Sequence, residues 1–319
     1  MTTTLYMVLP CYNEELVLDE TAKRLSVKFD SLLASGQISD SSRICFVNDG
    51  SKDATWEKIA ALHAAHPERF SGINLSRNRG HQNALLAGLM TVKDVPGVDV
   101  TISMDADLQD DIEAIDAMLE KFTSEACDVV YGVRDNRDTD TAFKRGTAGA
   151  FYGLMKSLGS ESVPNSADFR LMSKRALEGL SEFHEVNLFL RGMVPLVGFK
   201  HDIVYYKRGE RFAGESKYPL KKMISFAIDG ITSMSATPMR YIFWVGLIAF
   251  IGAIIAGIIV IINHFVGHTA SGWPSLMVLV TAFGGLQLLA LGVIGEYIGK
   301  IFLEVKNRPR YIIQDFLNK

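Results

Sequence analysis

Two stretches in the last third of the chain carry no charged side chain: "YIFWVGLIAFIGAIIAGIIVII" at 241–262 and "SLMVLVTAFGGLQLLALGVIG" at 275–295. At about 1.5 Å per residue, a helix of either length reaches about 30 Å, the thickness of a bilayer's hydrocarbon core. Two buried helices of a soluble domain would satisfy the same counts, but two uncharged runs of full spanning length are rare in a soluble core. The intervening "NHFVGHTASGWP" has no Lys or Arg, whereas Arg240, Lys300, Lys306, Arg308 and Arg310 lie outside the two runs. The positive-inside rule then places the loop outside and both termini in the cytoplasm. The opening "MTTTLYMVLPCYNEE" lacks a basic region ahead of its short apolar run, so it reads as a first strand and not as a signal peptide.

The first 135 residues alternate. Strand-like runs at 5–9, 43–48, 71–75, 98–104 and 128–132 are interleaved with helix-like runs at 16–33, 54–66, 82–91 and 112–122. Apolar strands alternating with amphipathic helices predict an α/β unit with a mostly parallel sheet covered on both faces. No GxGxxG occurs, so the usual dinucleotide fold is unsupported. Cys11, Cys45 and Cys127 lie far apart in or beside apolar runs and read as reduced core thiols. A net charge of −3 gives no general attraction to nucleic acid. Residues 136–217 are less regular, rich in Arg, Lys and Gly, and are expected to build one side of a cleft. Residues 218–238 carry Met223, Phe226, Ala227, Ile231 and Met234 at helical spacings, with Lys221 and Lys222 near the start. Next to a span this predicts an amphipathic helix lying in the interface.

In open α/β sheets, ligands bind beyond the carboxyl ends of the strands. Three predicted strand ends carry acids and turn residues: "PCYNEE", "VNDGSKD" and "MDADLQDD". Asp105 and Asp107 are adjacent hard-oxygen ligands of the kind that hold Mg²⁺ or Mn²⁺, and a divalent cation between them removes their repulsion. Gln109 could add a neutral oxygen. A D-x-D alone is often a solvated turn; here it ends a core strand. Asp49 could cap the following helix or close an Asx-turn, or it could accept from a base or ribose while Asn48 or Ser51 does the capping. Arg134, Arg208, Arg211 and Lys217 could complete a diphosphate site, or form a basic stripe against anionic lipid. The histidines show no ligand spacing. His81 alone falls near the inferred crevice, and its spacing fits a surface-loop histidine.

The ordered motifs "VLPCYNEE", "VNDGSKDAT", "RNRGHQNALLAGL", "MDADLQD", "SADFRLMSKRA" and "RFAGESKYPLKKM" resemble family 2 glycosyltransferases, and more narrowly the polyprenyl-phosphate group related to bactoprenol glucosyltransferases and dolichol-phosphate mannose synthase. The resemblance runs from residue 5 to about 225. It implies a GT-A type domain at 1–217, a juxtamembrane amphipathic helix at 218–238, a two-helix anchor at 239–300 and a cytosolic tail at 301–319, in a bacterial inner membrane protein. It implies nucleotide contacts at Pro10, Tyr12, Glu14 and Asp49, and Ala106 against the ribose. It implies Mg²⁺ or Mn²⁺ on Asp105, Asp107 and Gln109. Asp168 matches the proposed catalytic base, with Arg170 beside it. Arg134, Arg211, Ser216 and Lys217 would engage the diphosphate or the acceptor phosphate. The sequence departs from the pattern at Arg79, where relatives often have an aromatic residue, and at Asp111 and Ile112, which replace prolines.

The implied reaction is transfer of a sugar from a nucleotide diphosphate sugar, UDP-glucose first among the candidates, to undecaprenyl or another polyprenyl phosphate in the lipid bilayer, with inversion at the anomeric carbon. UDP-GlcNAc and GDP-mannose are the alternatives. A small two-span anchor is compatible with homo-oligomers. A processive polysaccharide synthase would need Gln-x-x-Arg-Trp, yet Trp occurs only at 56, 244 and 273, never after Arg. A non-catalytic membrane scaffold with a relict transferase domain predicts no metal-dependent nucleotide binding.

Overall fold

The structure, a computed structural model, describes residues 2–135, 163, 166–207, 209, 230, 232–233, 235–266 and 272–318. The predicted alternation is present: β1 (Leu5–Cys11), α1 (Leu18–Ala34), β2 (Arg43–Asn48), α2 (Thr55–Ala65), β3 (Phe70–Leu75), α3 (His81–Lys93), β4 (Val100–Ser103), α4 (Ala114–Glu125) and β5 (Val129–Arg134). There follow β6 (Ser166–Ser173), α5 (Lys174–Ser181), α6 (Leu190–Leu196), β7 (His201–Tyr206), the long helices α7 (Thr237–Phe265) and α8 (Trp273–Lys306), and β8 (Ile313–Leu317).

Among the described residues one eight-stranded sheet runs β7-β5-β6-β4-β1-β2-β3-β8. β4, β1, β2 and β3 are mutually parallel, β6 lies antiparallel between β4 and β5, and β8 closes the far edge antiparallel to β3. Strands β1 to β6 are buried on both faces, as a sheet sandwiched between helices requires, while the edge strands β7 and β8 are partly exposed. The alternation of β1 shows it: Leu5, Met7 and Leu9 pack with α1 and α4, while Tyr6 and Val8 pack with α3 and α5. Helix α3 lies hard against the sheet at Gly88, where a Cβ would come within 2.4 Å of Val8 Cγ1.

β6 was not expected in the irregular stretch after residue 135. Its Ala167, Phe169 and Leu171 join one core, while Asp168 and Arg170 point to the other face. β8 was expected only as tail; instead it leaves α8 and returns to the sheet. Helices 237–259 and 279–306 have mean hydropathies of 2.7 and 1.6 and no burial, long and apolar enough to cross a membrane. Most of the expected interfacial helix at 218–238 lies outside the described residues.

Candidate active site

The carboxyl ends of β1, β2 and β4 open on one crevice, and their loops are tied together. Asn13 N donates to Ser51 Oγ at 3.0 Å and Lys52 N to Asn13 Oδ1 at 2.9 Å, which binds the loop after β1 to the loop after β2. Gly50 sits at φ +61°, and a Cβ there would strike Asn78 N at 2.4 Å, so the loop after β3 can cross over it closely only because it is glycine. Of the expected nucleotide residues, Pro10 is buried within β1, Tyr12 is 42% exposed, and Glu14 N donates to Thr55 Oγ1.

Asp49 serves the backbone. Its Oδ1 accepts Arg79 N–H at 2.7 Å and its Oδ2 accepts Gly80 N–H at 2.9 Å, while Asn48 Oδ1 takes the Ser51 N–H. Asp49 therefore shapes the turn that starts α3 and carries His81. Ala106, expected against the ribose, is 3% exposed and packed in the core, and its carbonyl accepts from Thr21 Oγ1 at 2.8 Å.

β4 and β6 supply the centre of the crevice. Ser103 pairs with Arg170 in antiparallel register, so two positions further along Asp105 stands opposite Asp168. His81 bridges them: its Nε2 lies 3.5 Å from Asp105 Oδ1 and 3.3 Å from Asp168 Oδ2. Asp168 Oδ1 accepts from Arg170 Nη2 at 2.6 Å, and Arg191 reaches both of its oxygens, Nε to Oδ1 at 3.3 Å and Nη2 to Oδ2 at 3.1 Å. Burial works to raise the Asp168 pKa, but the His81 hydrogen bond and the charges of Arg191 and Arg170 prevail and hold it well below the usual carboxylate range. Desolvation likewise pulls His81 down, and Asp168 and Asp105 outweigh it, leaving the imidazole above its ordinary value.

Asp105 behaves oppositely. Its pKa is pushed up to about 6, chiefly by burial; His81 opposes this, and the charges of Asp110, Asp168 and Asp107 add to it. Its Oδ1 is buried and accepts no hydrogen bond, His81 Nε2 at 3.5 Å acting on it only as a nearby charge. A desolvated, donor-poor carboxylate oxygen among other carboxylates is the chemistry that a hard divalent cation fits. Asp107 and Gln109 share the same tight turn. Gln109 N donates to Asp107 Oδ1 at 3.2 Å, and Leu108 between them adopts φ +57°, a conformation costly for a Leu. Arg134 stands at the rim: its Nε donates to Tyr206 Oη at 3.1 Å and its Nη2 lies 3.6 Å from Asp110 Oδ1, which also receives the Tyr206 hydroxyl. Arg208, Arg211, Ser216 and Lys217 lie outside the described residues.

A second grouping, Glu125, Cys127 and Asp202, has metal-like spacing away from the crevice. Lys121 already bonds Asp202 and lies 3.5 Å from Glu125, so a cation is supplied by the chain itself.

Three residues have places in the site that the sequence does not reveal: His81, Arg191 and Tyr206. His81 was visible as a position but not as a role. Arg191 and Tyr206 carry no local signal, because only the pairing of β4, β5, β6 and β7 brings them to the acids.

Residues 6–181 match the family model described as Glycosyl transferase family 2, and the chain belongs to that family. The family read from the six ordered motifs is borne out. Across nearly the whole chain it is 51% identical, over 309 residues, to the uncharacterized glycosyltransferase YkoT of Bacillus subtilis, covering 97% of this chain and 90% of that one. It is 40% identical, over 310 residues, to the SfII prophage-derived bactoprenol glucosyl transferase of Shigella flexneri, covering 97% and 96%. Among solved structures, a glucosyl-3-phosphoglycerate synthase from Mycobacterium tuberculosis in complex with Mn²⁺, UDP and phosphoglyceric acid is similar at 16% identity, covering 72% of this chain and 76% of that one with a TM-score of 0.44.

Proposed function

We propose that this chain is a membrane-bound inverting glycosyltransferase that moves a sugar, glucose in the first instance, from a nucleotide diphosphate sugar to a polyprenyl phosphate at the cytosolic face. The observation that carries the reading is the convergence of Asp105, whose buried Oδ1 accepts no hydrogen bond, on His81 and Asp168 at the carboxyl end of the sheet. Mg²⁺ or Mn²⁺ held by Asp105, Asp107 and Gln109 would supply charge neutralisation for the departing diphosphate.

The chain's own groups account for the rest. Tyr12 and Glu14 border the nucleotide end of the crevice. Arg134, and in this reading Arg211, Ser216 and Lys217, meet phosphate oxygens, where forked guanidinium contacts stabilise charge growing on the leaving group. A phosphate monoester has a second pKa near 6, so at about pH 7 the acceptor is largely ionised and needs little proton removal. Asp168, held ionised by Arg170, Arg191 and His81, is a weak base. We assign it the work of fixing these three cations where the acceptor phosphate and donor meet.

The arrangement of the long helices supports the cytosolic orientation. The chain leaves the transferase domain into α7, and β8 after α8 pairs with β3 of that same domain. An even number of crossings returns a chain to the side it left, so the catalytic sheet and the C-terminal strand share one side. The bias of Lys and Arg supports the reading of that side as the cytoplasm. A polyprenyl chain stays in the bilayer, since each CH₂ is worth about 0.8 kcal/mol. Only its phosphate can enter the crevice. The decisive experiment offers the purified full chain UDP-glucose, UDP-GlcNAc and GDP-mannose with undecaprenyl phosphate and either Mg²⁺ or Mn²⁺. A glycolipid is the expected product, and absence of product with every donor would refute the reading.

A further inference from the structure

Helix α8 has 34 residues, about 51 Å of helix, and exceeds the roughly 30 Å of a hydrocarbon core. Its last turns continue past the uncharged run and meet the transferase domain. Glu304 Oε2 accepts the N–H of Val186 at 2.8 Å, and its Oε1 accepts the N–H of Asn187 at 2.8 Å. Asn187 Nδ2 also donates to Glu304 Oε1 at 2.6 Å and to the carbonyl of Lys300 at 3.2 Å. Just beyond the helix, Arg310 Nη1 donates to the carbonyls of Phe183 at 3.1 Å and Glu185 at 3.4 Å. A carboxylate in the last turn of a helix opposes the macrodipole. Here the donors of one short loop compensate for that placement, which gives the position a purpose beyond helix formation.

The gripped loop runs directly into α6. Leu190 N donates to Gln82 Oε1 at 2.9 Å, next in sequence to His81, and the Leu190 carbonyl accepts from Arg170 Nη1 at 3.4 Å. The next residue is Arg191, which reaches both oxygens of Asp168. An unbroken series of hydrogen bonds and covalent links therefore joins the end of the second apolar helix to the charged centre of the crevice.

We infer that Glu304 is a positioning residue for the transfer reaction: its grip on Val186 and Asn187 sets where α6 presents Arg191 to Asp168, and so couples the seating of α8 to the geometry of the crevice. The catalytic half of this inference rests on the transferase reading above; the mechanical half does not.

The test compares the full chain, E304Q and E304A in phospholipid nanodiscs by amide hydrogen exchange and by steady-state transfer to undecaprenyl phosphate. In E304A, exchange should quicken through residues 186–193 while β1–β4 keep their protection. Its kcat should fall roughly 10- to 100-fold, as misplacement of a positioning group does, with the donor KM within about twofold of the parent. E304Q keeps one acceptor oxygen and should fall between the two. Unchanged exchange at 190–193, or an unchanged kcat despite faster exchange, overturns the inference, as does a loss of protection spread evenly over the sheet. If the parent chain makes no glycolipid, the transferase reading fails by itself, and the coupling is then decided by whether exchange at 190–193 responds to E304A.

Discussion

Arg170 donates from Nη2 to Asp168 Oδ1 at 2.6 Å, the two side chains sharing one face of a strand buried in the middle of the sheet. Arg170 is 2% exposed, so this ion pair is desolvated, and its remaining donors turn inward to the Leu190 carbonyl and the core. A pair so placed stabilises mainly by not being broken: removing one partner strands the other charge.

Substituting Asp168 separates a base from an organiser. Its pKa lies well below the ordinary carboxylate range, so it does not titrate between about pH 6 and about pH 8.5. Asp168→Asn is expected to lower kcat at both pH values, with any pH dependence of the loss confined to the range in which His81, freed of the Asp168 hydrogen bond, titrates at lower pH, read from pH-rate profiles of the two proteins. A loss that goes on shrinking at pH above that range would restore the role of base.

The two arginines on Asp168 should part in their effects. Arg170→Ala leaves a buried carboxylate short of its nearest cation and is expected to cost about 3–5 kcal/mol in chemical unfolding. Arg191 is 34% exposed, and Arg191→Ala should cost about 1 kcal/mol while lowering kcat more than tenfold. Equal stability losses would show that Arg191 serves the fold alone.

Asp105 carries the opposite sign. Its folded pKa of about 6 lies above the unfolded value, so without cation the stability it allows at low pH is lost as pH rises from about 4 through about 6. Asp105→Asn should therefore make the cation-free protein more stable at about pH 8, by about 1–2 kcal/mol once its partial exposure is allowed for, while abolishing Mn²⁺ binding by calorimetry. Added Mn²⁺ should raise the melting temperature of the parent only, and less at about pH 5 than at about pH 8. A destabilised Asp105→Asn protein at pH 8 would contradict this.

The C-terminal strand is linked by hydrogen bonds to the loop after β2. Asn74 Nδ2 donates to Asp315 Oδ2 at 3.1 Å, Asn48 Nδ2 to Asn74 Oδ1 at 2.8 Å, and Ser51 N to Asn48 Oδ1 at 3.2 Å. Asp315→Ala removes the outer acceptor of this relay. It is expected to raise the donor KM about fivefold, equivalent to about 1 kcal/mol, with little change in kcat. An unaffected KM would confine β8 to edge protection.

Much of this was readable in the residues, for identifiable reasons. β1 to β5 and α1 to α4 announced themselves because the strands are short, mostly apolar runs and the helices between them repeat with their own period. β6 lies in a stretch whose Arg, Lys and Gly content hides the alternation of Ala167, Phe169 and Leu171 with Asp168 and Arg170, and the mutual pairing of those two charges lets them be buried. Asp49 was an open choice between turn and ligand contact, and its two backbone bonds are made to a loop thirty residues away, which local spacing cannot show. His81 and Arg191 gained their meaning only from the register of β4 against β6. β8 was invisible because its partner, β3, lies some 240 residues earlier.

The most direct measurement of the central claim is glycolipid formation from undecaprenyl phosphate and the preferred nucleotide sugar by the parent chain and by Asp107→Ala, each with and without a chelator. The account predicts that the substitution and the chelator each cut the rate roughly a hundredfold or more, and that together they add little, because both remove the same cation. Product formed at the parent rate by Asp107→Ala, or by the parent chain in excess chelator, would contradict it.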